Sequence, residues 1–363
     1  MTSRKLFLLL ACLGALGCAA PARAAGLAEP LDRPAVMVRN PQQVGMLGAA
    51  AAGSRLVAVG ERGIILLSDD QGGHWRQAKV PVSTNLNAVA FPTPRLGWAV
   101  GHAGIVLHTE DGGETWVRQL DGIQAAKLVL DSSPREDAAA PFRARQARRL
   151  VEEGPDKPFL DLFFPSATEG FVIGAFGLAF HTLDGGKSWT SLTLELPNPQ
   201  GHHLYSVRGG GGAIYMAGEQ GLALRSDDGG ATFVELSPPY RGSYFSVAAD
   251  QAGNVVLAGL RGNVVHSADR GKTWRALEMP VPVSVTATVL TPEGQVLMVN
   301  QAGMILVADM AAPKPTPLPF GPLPPPAGLI ALGDGRILLT TPRGMRLLPE
   351  RSSSAPGLAT KQP

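Results

Sequence analysis

One pattern, met five times, limits this chain to very few architectures. It reads Ser/Thr-x-Asp-x-Gly-x-x-Trp/Phe and runs Ser68, Asp70, Gly72, Trp75; then Thr109, Asp111, Gly113, Trp116; then Thr182, Asp184, Gly186, Trp189. It returns as Ser226, Asp228, Gly230, Phe233 and as Ser267, Asp269, Gly271, Trp274. A Gly-x-x-Gly turn precedes each by a fixed distance: Gly60/Gly63, Gly101/Gly104, Gly174/Gly177, Gly218/Gly221 and Gly259/Gly262. The frame continues as Asn300/Gly303 and Thr341/Gly344. First positions at 60, 101, 174, 218, 259, 300 and 341 give steps of 41, 73, 44, 41, 41 and 41. A repeat of roughly 40–45 residues is the length of a four-stranded propeller blade. Seven units imply an all-β, seven-bladed β-propeller. The one long step, 32 residues above the usual 41, is an insertion between blades two and three and not a missing blade.

Each unit carries four short runs rich in Val, Leu, Ile, Thr and aromatics, bounded by Gly, Pro, Asn or Asp, as strands A to D require. In unit two these are Leu86–Phe91, Gly97–Val100, Ile105–Thr109 and Thr115–Gln119. The five-fold pattern, an Asp-box, sits at the C–D turn. Short Asp and Ser/Thr side chains satisfy turn amides locally, and Gly supplies positive φ. The closing aromatic packs between neighbouring blades. Asp70, Asp111, Asp184, Asp228 and Asp269, with Trp75, Trp116, Trp189, Phe233 and Trp274, therefore read as structural. A residue repeated round a ring does not converge on one catalytic centre.

The domain spans residues 25–349. Blade seven shows strands A, B and C only, and no fourth follows Leu348. Ala35–Val38, just ahead of blade one, is expected to supply it and close the ring. Residues 312–326 are proline-rich, which places the outer strand of blade six at an edge or replaces it with extended chain. Residues 350–363 read as a disordered tail. The insertion, residues 121–158, is expected to be helical. Ser133-Pro134-Arg135-Glu136 has the form of a capping box, and a helix from Phe142 to Glu153 carries Arg143, Arg145, Arg148 and Arg149. These four arginines form either a solvated face or a docking element.

Residues 1–24 have the layout of a secretory signal: Arg4 and Lys5, an apolar run from Leu6 to Leu16, then Ala22-Arg23-Ala24. The run is too short to span a bilayer, which needs about 20 apolar residues. The expected location is the periplasm, with a lipoprotein at Cys18 as the minor alternative. Both cysteines, Cys12 and Cys18, lie in this leader, so the mature chain has no thiolate chemistry. The chain has 32 basic and 30 acidic residues; without Arg4, Lys5 and Arg23 the mature part carries 29 against 30. There is no basic footprint for nucleic acid.

In a propeller the B–C and D–A connections share one face, opposite the Asp-boxes. The middle residues of the Gly-x-x-Gly turns differ between blades, which is what a binding face needs. Arg62, His102, Phe176, Arg261 and Arg343 are the candidate contacts. Arg62, Arg261 and Arg343 fill the same slot, and those of blades seven and one are neighbours, so they could clamp a carboxylate or an acidic peptide end. Solvated turn residues are the plainer reading of the same positions. His108, His181 and His266 are locked to different blades, and His202-His203 has no evident third ligand, so no metal or other cofactor is expected.

The frame resembles the photosystem II assembly and stability factor family and its exported bacterial relatives. Val57-Ala58-Val59-Gly60-Glu61-Arg62-Gly63, followed by Ile64-Ile65-Leu66-Leu67-Ser68-Asp69-Asp70, is similar to that family, and so is Gly154-Pro155-Asp156-Lys157-Pro158-Phe159-Leu160-Asp161. The resemblance implies a monomeric, non-catalytic propeller that assists a membrane protein or envelope complex, with a transporter as a possible client in a host without photosynthesis. It also implies partner contact through arginines on one face, for which Arg62, Arg261 and Arg343 are the matching candidates. The competing readings are a sialidase-like glycosidase and a carbohydrate-binding or adhesion propeller. A sialidase needs an Arg-Ile-Pro motif and a late tyrosine; the motif is missing, and Tyr205, Tyr215, Tyr240 and Tyr244 all precede blade six. Paired carboxylates for glycoside hydrolysis reduce to Glu61 and Glu219, on different blades.

Overall fold

The computed structural model describes residues 29–133, 141–321 and 323–349. The leader, the Pro134–Glu136 part of the expected capping box and the tail from 350 onward lie outside these residues.

Seven antiparallel sheets surround a central channel, in the order A-B-C-D from the inside outward in blades one to six and A-B-C in blade seven among the described residues. Blade one runs Met46–Ala52, Arg55–Gly60, Ile65–Ser68 and Arg76–Gln77, and blades two to six repeat it with four strands each. The outer strand is two residues long in blades one and three to six, and four in blade two. Strands B and C are apolar on both faces because each blade is covered by a blade on either side. Val57, Val59, Ile65 and Leu67 of blade one thus pack against Ala99, Leu107 and Trp116 of blade two. The closing aromatics lie between blades. Trp75 meets Ile330 and Met345 of blade seven, and Trp189 lies with Trp98 and Phe164 between blades two and three.

The Gly-x-x-Gly frame has a steric origin. The first glycine has ordinary extended backbone; what it lacks is room. A Cβ on Gly101 would lie 2.0 Å from the Asn85 carbonyl oxygen, and one on Gly218 2.3 Å from that of His203. These carbonyls arrive just ahead of strand A and accept the next N–H of the turn, His102 N at 2.9 Å and Glu219 N at 3.0 Å. The last glycine clears the departing D–A connection: a Cβ on Gly63 would stand 2.1 Å from Val82 O. B–C turns and D–A loops therefore touch, and share one face.

The seam differs from expectation. Among the described residues blade seven has three strands, Gly328–Ala331, Ile337–Thr341 and Gly344–Leu348, and Ala35–Val38 does not complete it. That segment lies along the outside of blade one. Ala35 N donates to Val80 O (3.1 Å), Val38 N to Gln77 Oε1 (3.0 Å) and Ser83 N to Pro30 O (2.8 Å). The two-residue outer strand of blade one leaves these backbone groups open, and the N-terminal segment satisfies them. Residues 41–45 then cross the blade-seven turn. A Cβ on Gly344 would lie 1.9 Å from Gln42 O, the relation Gly63 has to Val82. The N-terminal segment therefore replaces a D–A loop, and the ring closes by packing Leu56, Ala49 and Trp75 on Leu332, Leu338 and Ile330.

Blade six keeps an outer strand, Thr316–Pro317, at the sheet edge within the proline-rich segment. The insertion holds two helices. Pro141–Glu153 (α2) is the expected one, and Gly122–Asp131 (α1) was not foreseen. A capping box begins α1: Asp121 Oδ1 accepts Ile123 N and Gln124 N, while the Gln124 side chain accepts Asp121 N. Ala125, Ala126 and Val129 of α1 and Ala147 and Leu150 of α2 join the core between blades two and three. The insertion is therefore an integral part of the ring.

Candidate docking face

In five of the seven B–C turns the middle residue is left-handed: Arg62, Ala103, Phe176, Gln220 and Arg261 have φ between 53° and 57°. This conformation is fixed from the next blade. Arg62 N donates to Asn85 Oδ1 (2.9 Å), Phe176 N to His203 Nδ1 (3.0 Å) and Arg261 N to Ser284 Oγ (3.0 Å). The backbone is held and the side chain is turned outward. Arg62, His102, Phe176, Arg261 and Arg343 are all exposed. Arg62, Arg261 and Arg343 make no ion pair with any described residue, whereas Arg55, Arg76, Arg225 and Arg270 on the opposite face are all paired.

The candidates form two groups and two isolated positions. The turns of blades seven and one abut at Gly45, whose missing side chain would lie 2.8 Å from Glu61 Oε1 and 3.3 Å from Pro342 O, so Arg343 and Arg62 stand on adjoining turns. Arg343 differs from Arg62 and Arg261 in having ordinary backbone. Arg261, on blade five, and His102, on blade two, are apart from this pair. The second group is unexpected. Phe176 and the insertion share a groove of about 360 Å³, lined by Arg145, Gln146, Arg149, Leu150, Glu153, Gln200 and Gly201. Arg145 and Arg149 face it with the ring of Phe176, and Arg149 is held by Glu153. Arg148 is exposed on the same helix; the side chain of Arg143 lies outside the described residues.

Sequence reading missed what supports Phe176. The Lys157 ammonium lies 5.4 Å from its ring centroid. Lys157 is buried and bonded to Asp156 and Glu153. Burial works against its charge, but Asp156 and Glu153 outweigh it and hold its pKa above the ordinary lysine value. On the other side the His203 ring is 5.0 Å away, followed by Tyr205 and Phe245. Glu219 accepts from His203 N (2.8 Å) and Tyr205 Oη (3.2 Å); burial, then the Glu219 charge, pushes the Tyr205 pKa up to about 12. Glu219 is thus engaged by the turn and strand A of its own blade four.

The Asp-boxes form closed turns. In blade three Thr182 Oγ1 accepts Gly186 N (2.8 Å) and donates to Asp184 Oδ1 (2.9 Å), which also accepts Ser188 N (2.9 Å). Asp70, Asp111, Asp228 and Asp269 repeat this. Their carboxylates are held below the usual range by the same donors. Among the described residues no group of three His, Cys, Asp or Glu side chains could hold a metal ion, and no helix is long and apolar enough to cross a membrane.

Fold and face together define a class: an Asp-box β-propeller that presents one residue per blade on a common face. The comparisons give the family. The profile of the family described as photosynthesis system II assembly factor YCF48 matches residues 51–132 and 142–308, and the chain belongs to that family. The chain is 29% identical over 162 residues to the photosystem II assembly protein Ycf48 of Synechococcus sp. (strain JA-2-3B'a(2-13)), covering 44% of this chain and 39% of that protein. It is 34% identical over 77 residues to the photosystem II assembly lipoprotein Ycf48 of Synechococcus sp. (strain CC9902), covering 21% and 23%. The matches thus span well under half the length of these relatives. Among solved structures, one described as YCF48 bound to D1 peptide superposes with a TM-score of 0.62 at 15% identity, over 89% of this chain and 98% of that one. The WD40 propeller of Doa1 scores the same at 13% identity, over 89% and 98%, so these structural likenesses speak for the fold.

Proposed function

We propose that this protein is an exported, non-catalytic assembly or stability factor that holds a segment of a membrane protein on its B–C/D–A face. The reading rests on one observation: the turns hold Arg62 and Arg261 outward in a conformation set by the neighbouring blade, with no ion pair to any described residue. Arg343 adjoins Arg62, and the Phe176 groove adds an apolar contact flanked by Arg145 and Arg149. Such a surface suits an acidic segment carrying an aromatic or aliphatic anchor. Family membership supports it, as does a relative whose structure is described as bound to a D1 peptide. The leader and the lipoprotein name of one relative support export to the periplasm. The protein acts as a monomer in this reading, and its client is an envelope or membrane complex subunit.

The test is crosslinking and affinity capture from the host's own envelope membranes. Wild type is compared with an Arg62/Arg261/Arg343→Ala triple variant and with an Arg76→Ala control on the Asp-box face. A defined membrane protein held by wild type and control but lost from the triple variant is the expected result. Equal capture by all three removes the face from the reading. Turnover of fluorogenic sialosides or glucosides by the pure protein would overturn the non-catalytic part.

A further inference from the structure

The central channel is a cavity of about 410 Å³, lined by the A strands of all seven blades, within the range typical of small-ligand sites (roughly 300–1,000 Å³). In each of the first six blades a β-bulge at the start of strand A turns one residue into it: Leu47, Asn87, Leu160, Tyr205, Phe245 and Thr286. The inner edge is stitched between blades over part of the ring. Asp161 Oδ2 accepts Val207 N (2.9 Å), Ser206 Oγ accepts Val247 N (3.3 Å) and Ser246 Oγ accepts Thr288 N (3.0 Å). At the same register the other blades carry Gly48, Ala88, Ala287 and Gly328. At this register the channel is therefore two-sided, polar along blades three to five and lined with small apolar residues along blades six, seven, one and two.

Among the described residues two charged ones line it, Asp161 and Arg208. Arg208 has no repeat-locked reason to be there: its register position holds Ala50, Ala90, Phe163, Ala248, Val289 and Ile330 in the other blades. Its Nη1 is fully used, donating to Asp161 Oδ2 (2.6 Å) and Val207 O (2.6 Å). Its Nε and Nη2 donate to no described residue. These two N–H groups form the side edge of the guanidinium, which binds a carboxylate through two parallel hydrogen bonds. Asp161, nearly buried, anchors the opposite corner, so the guanidinium is held in place at the cavity wall.

We propose that the channel is a binding site for a carboxylate carrying a small apolar body, captured by the Nε/Nη2 edge of Arg208 with the apolar part against Ala49, Ala50, Ala88 and Ala90. The carboxylate could belong to a free organic acid or to a peptide C-terminus. The site is separate from the turn face proposed above and does not depend on it.

Isothermal titration calorimetry on the mature protein tests this with hexanoate, hexanamide, and a short alanine-valine peptide with a free or an amidated C-terminus. Binding of at least one free carboxylate is expected, with neither amide bound. Arg208→Gln should weaken that binding about tenfold or more, and Arg208→Lys, which keeps the charge and loses the fork, should also weaken it. The Arg62/Arg261/Arg343→Ala variant should bind as wild type. Hexanoate binding alone assigns a free acid, and binding of the free-ended peptide alone assigns a chain terminus. Absence of carboxylate binding, equal binding of the amides, or full affinity in a folded Arg208 variant would overturn the proposal.

Discussion

Trp116→Ala isolates what an Asp-box aromatic contributes. The indole is 4% exposed and lies among Val57, Val59, Ile65 and Leu67 of blade one and Leu107 of its own blade. It meets Phe91 edge-on at 6.0 Å and donates from Nε1 to Gly113 O at 2.9 Å. A tryptophan buries about 150–250 Å², which at about 25 cal/mol per Å² is worth roughly 4–6 kcal/mol as an upper bound. Partial collapse of the site brings the expected loss to about 3–5 kcal/mol. Trp116→Phe keeps most of the buried ring and gives up the bond to Gly113, so it should lose about 1–2 kcal/mol. Equilibrium denaturation in urea, followed by far-ultraviolet circular dichroism, reads both. The midpoint should fall in the order wild type, Phe, Ala, with the slope unchanged. A loss below about 1 kcal/mol for the alanine variant would show that the aromatic does not seal the blades. Equal losses for Phe and Ala would move the effect from buried area to the turn hydrogen bond.

Removing residues 29–39 should expose the Val80 and Ser83 backbone and speed hydrogen exchange there, while the inner strands of blade seven keep their protection. Exchange centred on Met345 and Arg346, in the outer of the three strands of blade seven, would instead restore the closing-strand idea. Asp121→Ala removes the acceptor of two N–H groups at the start of α1 and should cost about 1 kcal/mol, read as faster exchange in residues 122–126; an unchanged helix would refute the cap. The pH response follows from Asp184, Asp228 and Asp269, whose pKa values are depressed to about 2 by the hydroxyl and N–H donors of Ser188, Thr232 and Thr273. A carboxylate with a depressed folded pKa stabilises the fold above its unfolded value and loses that contribution as pH falls through the folded one. The contribution of these turns to the melting temperature should therefore be flat from about pH 8 to 5 and fall between about pH 4 and 2. A decline centred near pH 6 would assign acid sensitivity to other groups.

The blade count and strand order were legible because the turn frame recurs seven times, and the Asp-box pattern because it recurs five times. The seam was not, because Ala35–Val38 has the composition of a strand whichever edge it meets. Only the open backbone groups of Val80 and Ser83 decide which edge that is. Helix α1 was hidden by its start: Asp121 and Gly122 look like the end of strand D, and the cap–Gln124 relation becomes visible only once the strand is known to stop at Leu120. Of the site, the turn positions of Arg62, Phe176 and Arg261 could be placed from the frame. The meeting of Phe176 with Arg145 and Arg149 could not, since it depends on how α2 lies across the rim. Arg208 left a signal that only an aligned repeat reveals: a charge at a register position held by apolar residues in the other six blades.

The left-handed turns also record a trade between stability and use. The same backbone conformation occurs on both faces of the ring. On the Asp-box face the corresponding positions are Gln71, Gly112, Gly185, Gly229 and Arg270, and three of the five take glycine, the relaxed solution. On the B–C face the five positions are Arg62, Ala103, Phe176, Gln220 and Arg261, and none is glycine. Each non-glycine residue there forgoes about 1 kcal/mol that glycine would return. Four of the five spend it on a long or aromatic side chain held to solvent. Replacing them with glycine would yield a more stable ring with a blank surface, which is the cost the proposed docking role would have to justify.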